Sequence, residues 1–120
     1  MKRPKFTQAL ADTLLAGTHV NLVSPHGRGR RQTLLDLEPL LGDVVVRKID
    51  LKREQDKWEL WLENTLTLDI QVIVIIHNIE YIKQHHKQAM NALEKFTLLC
   101  VSEQPLMDKG MLEIEIPVAT

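Results

Sequence analysis

HVNLVSPHGRGRRQTLLDL, residues His19 to Leu37, decides how this chain folds. His19-Val20-Asn21-Leu22-Val23 alternates around an apolar core and is as short as a buried strand. Ser24-Pro25-His26-Gly27-Arg28-Gly29 is a turn-forming run in which two glycines are free to take positive φ. From Arg30 on, Leu34, Leu35, Leu37, Leu40 and Leu41 recur at helical spacing. Strand, glycine-rich turn and helix start therefore follow one another directly. Arg28, Arg30 and Arg31 gather at that helix start, where backbone N–H groups and the helix dipole already favour anions. They replace the acidic residues usual in a first turn, so an anionic group is the expected occupant. The plain alternative is a solvated basic turn that binds nothing in particular.

A working phosphate-binding loop reads G-x-x-x-x-G-K-[ST]: backbone N–H groups cradle phosphates, the Lys reaches the β- and γ-phosphates, and the hydroxyl holds Mg²⁺. On that template Ser24 takes the first Gly position and Gly29 the second. Arg30 stands in the Lys position and Arg31 in the Ser/Thr position. Ser24 to Gly29 also resembles the G-P-x-G-x-G form of AAA+ and STAND-type ATPases, so the chain resembles a degenerate P-loop NTPase domain. Ser24, Gly27, Arg28, Gly29, Arg30 and Arg31 are its candidate phosphate- or anion-binding residues. An arginine in the Lys position can still contact phosphate, but arginine is always cationic and cannot ligate Mg²⁺.

A second stretch fits the same resemblance. Val72-Ile73-Val74-Ile75-Ile76 is continuously apolar, the mark of a strand buried on both faces of a parallel sheet. His77-Asn78-Ile79-Glu80 follows at once. In P-loop ATPases such a run ends in Asp-Glu, which holds Mg²⁺ through water and polarises the attacking water. His77 and Asn78 stand at these Mg²⁺-site positions, and Glu80 falls two residues beyond the base. The resemblance also places Ser102 or Glu103 where the γ-phosphate is sensed.

The remaining chain alternates helix and strand. Phe6, Leu10, Leu14 and Leu15 predict a leading helix packed on the sheet edge and closed by Gly17. Residues 43–49 read as a β-branched strand and 52–66 as an amphipathic helix. In that helix Trp58, Trp61, Leu62 and Leu66 share one side, a spacing that reads as core rather than as a binding face. Residues 79–95 read as a helix with Ile79, Ile82, Met90 and Leu93 inward; adjacent His85 and His86 cannot both face one metal and read as surface histidines. Residues 96–102 form a buried strand, 104–110 a loop, and 111–117 an edge strand alternating Leu112, Ile114 and Ile116 with Glu113 and Glu115. Five strands with helices between them predict a three-layer α/β/α sandwich on a mainly parallel sheet. The resemblance gives the order 5-1-4-3-2. One domain is expected over residues 1–120, without the helical lid that the resemblance would place after the fifth strand.

Composition narrows the function. Fifteen Lys and Arg balance 16 Asp and Glu, a net charge of −1, so no global field draws the chain to nucleic acid or membrane. A single cysteine, Cys100, excludes an internal disulfide and suits the cytoplasm. No apolar run approaches the roughly 20 residues that span a bilayer, and Thr7, Gln8 and Asp12 make the N-terminus too polar for a signal-peptide core. Cys100 lies in an apolar strand, where a thiol is inert, and no nucleophile elbow is visible. A transition-metal site from His26, His77 and Cys100 or Glu103 is opposed by the arginines, so no metal is expected. No cofactor is implied beyond weak ATP or ADP binding. ATP hydrolysis is not expected. The leading expectation is a non-catalytic NTPase-like adaptor or regulatory module whose partner is a protein, either an active P-loop ATPase or a second copy. The alternatives are a nucleotide or phosphate sensor, and nucleic-acid contact through Arg28, Arg30, Arg31, Lys2, Arg3 and Lys5. No aromatic interleaves with the loop arginines to stack on bases.

Overall fold

Val72–Ile76 is an interior strand of the sheet, buried on both faces as an all-apolar strand must be. The structure, a computed structural model, describes residues 3–25, 29–79, 91–106 and 110–117. In chain order the elements are α1 (Arg3–Leu15), β1 (Val20–Val23), α2 (Arg30–Leu40), β2 (Val45–Asp50), a 3₁₀ turn (Gln55–Lys57), α3 (Trp58–Leu66), β3 (Val72–His77), β4 (Thr97–Ser102) and β5 (Leu112–Glu115). The strands form one sheet in the order β5-β1-β4-β3-β2, and every pairing is parallel. This is the expected order.

The period of two along each strand divides the core into two layers. On one face Val20 and Leu22 of β1, Ile73 and Ile75 of β3, and Leu99 and Val101 of β4 pack against α1 and α2. On the other face Val72, Val74, Ile76, Leu98 and Cys100 pack against Trp58, Ile79, Leu93 and Phe96, with Trp61, Leu62 and Leu66 partly buried beside them. Trp58 and Trp61 stack with ring centroids 5.5 Å apart, so the tryptophan pair belongs to the core side of α3. Each fully buried aliphatic side chain contributes about 1.5–3 kcal/mol, and β3 supplies five of them side by side.

Several sequence expectations are corrected. α1 does not sit at the sheet edge: Phe6, Leu10, Ala11 and Leu14 are buried on the face of β1, β3 and β4. Leu15 is 40% exposed, because the stripe at i, i+4 and i+8 runs through Phe6, Leu10 and Leu14 and leaves it outside. Leu35 and Leu40 likewise point out of α2, while Leu34, Leu37 and Leu41 are buried. The α-helix predicted over 52–66 begins only at Trp58. Asp50 is the reason: its carboxylate accepts from the Lys52 N–H at 3.0 Å, and its carbonyl accepts from the N–H groups of Arg53 and Glu54. That local turn competes with helix start. On β5 Leu112 is exposed rather than inward. In the helix predicted over 79–95, Ile79 and Leu93 are buried as expected, while Glu80, Ile82, His85, His86 and Met90 lie outside the described residues. Among the described residues no helix is long and apolar enough to cross a membrane.

Candidate functional site

Parallel pairing sends the C-terminal ends of all five strands to one edge of the sheet, the edge where α/β proteins hold ligands. α2 also begins there. Its N-cap is Gly29 at φ 75°, a left-handed conformation that glycine adopts without a Cβ penalty. Thr33 is buried in the first turn, and its hydroxyl donates back to the Gly29 carbonyl at 3.0 Å.

Three chain segments are tied together at this edge. Arg30 Nη2 donates to the Ser24 carbonyl at 3.1 Å, and Nη1 donates to Asn78 Oδ1 at 3.2 Å. Asn78 Nδ2 then donates to Asp50 Oδ1 at 2.7 Å. The amide orientation follows from its neighbours: oxygen faces the guanidinium and nitrogen faces the carboxylate, and a flipped amide would meet both wrongly. Asn78 sits at φ 58°, in the left-handed region that Asn tolerates better than other side-chain-bearing residues. Its backbone N–H donates to the Val101 carbonyl at 2.9 Å, which fixes the turn that aims the side chain. In the β2–β3 register Asp50 stands opposite His77, so the pairing itself delivers the carboxylate to the site.

Electrostatics follow from these contacts. Burial alone would raise the Asp50 carboxyl, but hydrogen bonds from Asn78 and the Lys52 N–H, with the charges of His77 and Arg53, outweigh it and hold the group below the ordinary carboxylate value. His77 is pushed below the usual histidine value, first by burial and then by Arg30 and Lys48, although Asp50 and Glu38 pull the other way. A depressed histidine means that the unfolded chain takes up the proton first, so stability falls as pH drops below the reference value of 6.5 toward the folded-state value. Asp50 acts in the same direction at lower pH: its contribution is present above 3.8 and is lost as pH falls through its depressed folded value. Urea unfolding at pH 7.5 and pH 5.5 is expected to give a smaller stability at the acid end. His77→Gln is expected to flatten that difference; an equal loss in the variant would remove His77 as its source.

The remaining candidates are placed as follows. Ser24 is buried, and its N–H donates to the Ser102 carbonyl at 2.7 Å. Arg31 is exposed on α2. His26, Gly27 and Arg28 lie outside the described residues, as do Lys2 and the Arg3 side chain; Lys5 is exposed on α1. Cys100 is buried in mid-strand and Glu103 is exposed. Among the described residues no three His, Cys, Asp or Glu side chains lie together as a metal site. Ser102 is fully buried, with Oγ 2.7 Å from the Gln104 carbonyl and 3.3 Å from Asn21 Oδ1.

Two residues central to the site were not singled out by the sequence. Asp50 fell between the expected strand 43–49 and the expected helix 52–66, and only the parallel register brings it to His77 and Asn78. Asn21 is a buried polar residue inside β1; its amide donates to Glu113 Oε2 at 3.1 Å, which ties β1 to β5. Its place in an otherwise apolar strand was the available signal, since a buried amide requires a partner.

Beside the tie, α2 and the ends of β2 and β3 enclose a cavity of about 400 Å³ lined by Arg30, Arg31, Leu34, Lys48, Arg53 and His77, among others. No protein-family model and no curated protein matches this sequence. Among solved structures the chain is similar to C. elegans PCH-2, with 15% identity and a TM-score of 0.64 over 97% of this chain and 42% of that one. It is also similar to a chain in the structure of Drosophila ORC bound to AT-rich DNA and Cdc6, with 12% identity and a TM-score of 0.58 over 90% of this chain and 49% of that one. This chain therefore spans less than half the length of either. Both neighbours are AAA+ ATPase proteins, and the five-stranded all-parallel sheet with flanking helices has their fold.

Proposed function

We propose that this chain is a non-catalytic NTPase-like module that acts by binding, an adaptor or regulatory domain in the cytoplasm. The observation that carries the reading is the tie Ser24–Arg30–Asn78–Asp50. Arg30 occupies the position of the phosphate-binding lysine, and Asn78 the position of the water-polarising carboxylate. Here these two side chains are joined to each other and to Asp50, so they act as a brace between the loop and β3. Arg31 and His77 stand in the two Mg²⁺-ligand positions and supply no carboxylate or hydroxyl. Losing such groups lowers rates by orders of magnitude. The partner is another protein, a P-loop ATPase or a second copy of this chain. Exposed apolar side chains support this at both sheet edges, Val45 on β2 and Leu112 on β5, and on α3 at Leu60.

A second reading, a nucleotide sensor without hydrolysis, is favoured by the further N–H groups that Arg30 carries beyond its two hydrogen bonds to described residues. Calorimetric titration with ATP, ADP and GTP, with and without Mg²⁺, separates the two, with ATP turnover measured alongside. The binding-module reading expects no Mg²⁺-dependent heat and no turnover above background. Binding that survives chelation and weakens in Arg30→Ala would instead make the chain a sensor. Turnover abolished by Arg30→Ala would overturn both.

A further inference from the structure

We propose that the cavity between α2 and the ends of β2 and β3 binds a small oxyanion ligand carrying two or more negative charges, held by Arg31, Lys48 and Arg53 with His77 on its inner wall. The volume of about 400 Å³ falls among small-molecule sites, which run from about 300 to 1,000 Å³. Leu34 and Ile75, both buried, back it with apolar surface. Leu35 lines it and is 55% exposed, so an apolar portion of the ligand has surface to lie against.

Charge selects the ligand. Arg30, Arg31, Lys48 and Arg53 line the cavity against two carboxylates, Glu38 and Asp50. Both carboxylates are already engaged. Glu38 pairs with Lys48 at 2.8 Å, and Asp50 accepts from Asn78 and the Lys52 N–H. Arg53 approaches Asp50 only to 3.9 Å. Arg31 makes no hydrogen bond or ion pair among the described residues. Among the described residues the lining thus carries four cations against two carboxylates, an excess of two positive charges in one concave site of a chain whose net charge is −1. Gathering like charges against an apolar wall is unfavourable unless an anion joins them, and the guanidinium fork matches phosphoryl and carboxylate oxygens equally well. α2 adds to the field, since its N-terminus carries no acidic residue in the first turn.

The groups facing His77 are Asp50 from β2, Arg30 and Glu38 from α2, and Lys48 from β2. Burial and the two cations push its titration below the usual histidine value, and an inserted anion would move it upward. His77 is therefore a reporter inside the cavity. This site does not depend on the interaction reading above, because an anion can occupy it whether or not a protein docks elsewhere.

The test is an NMR titration of the histidine imidazole signals, with His77 assigned through His77→Gln. Pyrophosphate and citrate are the probes, with sodium chloride at matched ionic strength as the control. Saturable binding is expected at about 1 mM or below, with the His77 titration moved upward. Arg31→Gln combined with Arg53→Gln, both at exposed positions, is expected to weaken it about tenfold or more. Glu38→Gln, which frees Lys48, is expected to tighten it. A response to pyrophosphate alone makes the ligand a phosphoryl compound, and a response to citrate alone makes it a polycarboxylate. The same shift with chloride, no shift at about 10 mM of either probe, or undiminished binding in the double variant would overturn the proposal.

Discussion

Leu10→Ala is expected to destabilise the fold by about 2–5 kcal/mol, a large share of the roughly 5–15 kcal/mol that holds a domain of this kind together. Leu10 is 1% exposed and packs with Phe6, Ala11 and Leu14 of α1 over Val20, Leu22, Leu99 and Val101. Truncation leaves a cavity between helix and sheet that neither rigid surface can close. Leu15→Ala on the same helix is the control. Leu15 is 40% exposed and its loss is expected to change stability by no more than about 0.5 kcal/mol. Urea unfolding of both variants measures the contrast. Equal, small losses would mean that α1 lies at the rim, as its sequence suggested, rather than on the face.

Asn78→Ala is expected to cost about 2–4 kcal/mol, from two hydrogen bonds to charged partners and from an alanine forced into the left-handed region. The loss leaves the Arg30 guanidinium and the Asp50 carboxylate without the amide between them. Asn78→Gly separates the two causes. It removes the same hydrogen bonds but tolerates φ 58°, so its loss should be roughly 1–2 kcal/mol smaller. A double-mutant cycle with Arg30→Ala should give a coupling of about 0.5–3 kcal/mol. Additive losses would show that Arg30 and Asn78 do not brace one another, and the binding-module reading would lose its main support. Chemical denaturation of the four proteins in the cycle is sufficient.

The stretches legible in the sequence were those whose local chemistry leaves one solution. Val72 to Ile76 has no polar face to offer water, so it could only be a strand covered on both sides. Gly29 stands just before a leucine-rich helix, and the left-handed N-cap it forms there is one that glycine adopts without a Cβ penalty. The short leading helix was legible as a helix but not in its position, because a stripe of three or four apolar residues fits a sheet rim and a sheet face alike. The helix start near Lys52 was misplaced because the charged run 52–57 is compatible with a helix. The competing turn depends on the Asp50 carboxylate and carbonyl, whose hydrogen bonds composition does not reveal.

Local patterning was enough for the alternation of strand and helix, for β3 as a strand buried on both faces and, through the resemblance carried by the loop and the run before His77, for the class of sheet. Periodicity and turn chemistry act within a few residues, and that is the range a single sequence reports. Tertiary structure alone decided what the site is made of. Arg30 meets Asn78 across 48 residues of chain and Asn78 meets Asp50 across 28. Those meetings require the parallel β2–β3 register and the left-handed turn at Asn78, both set by the packed sheet rather than by any local preference.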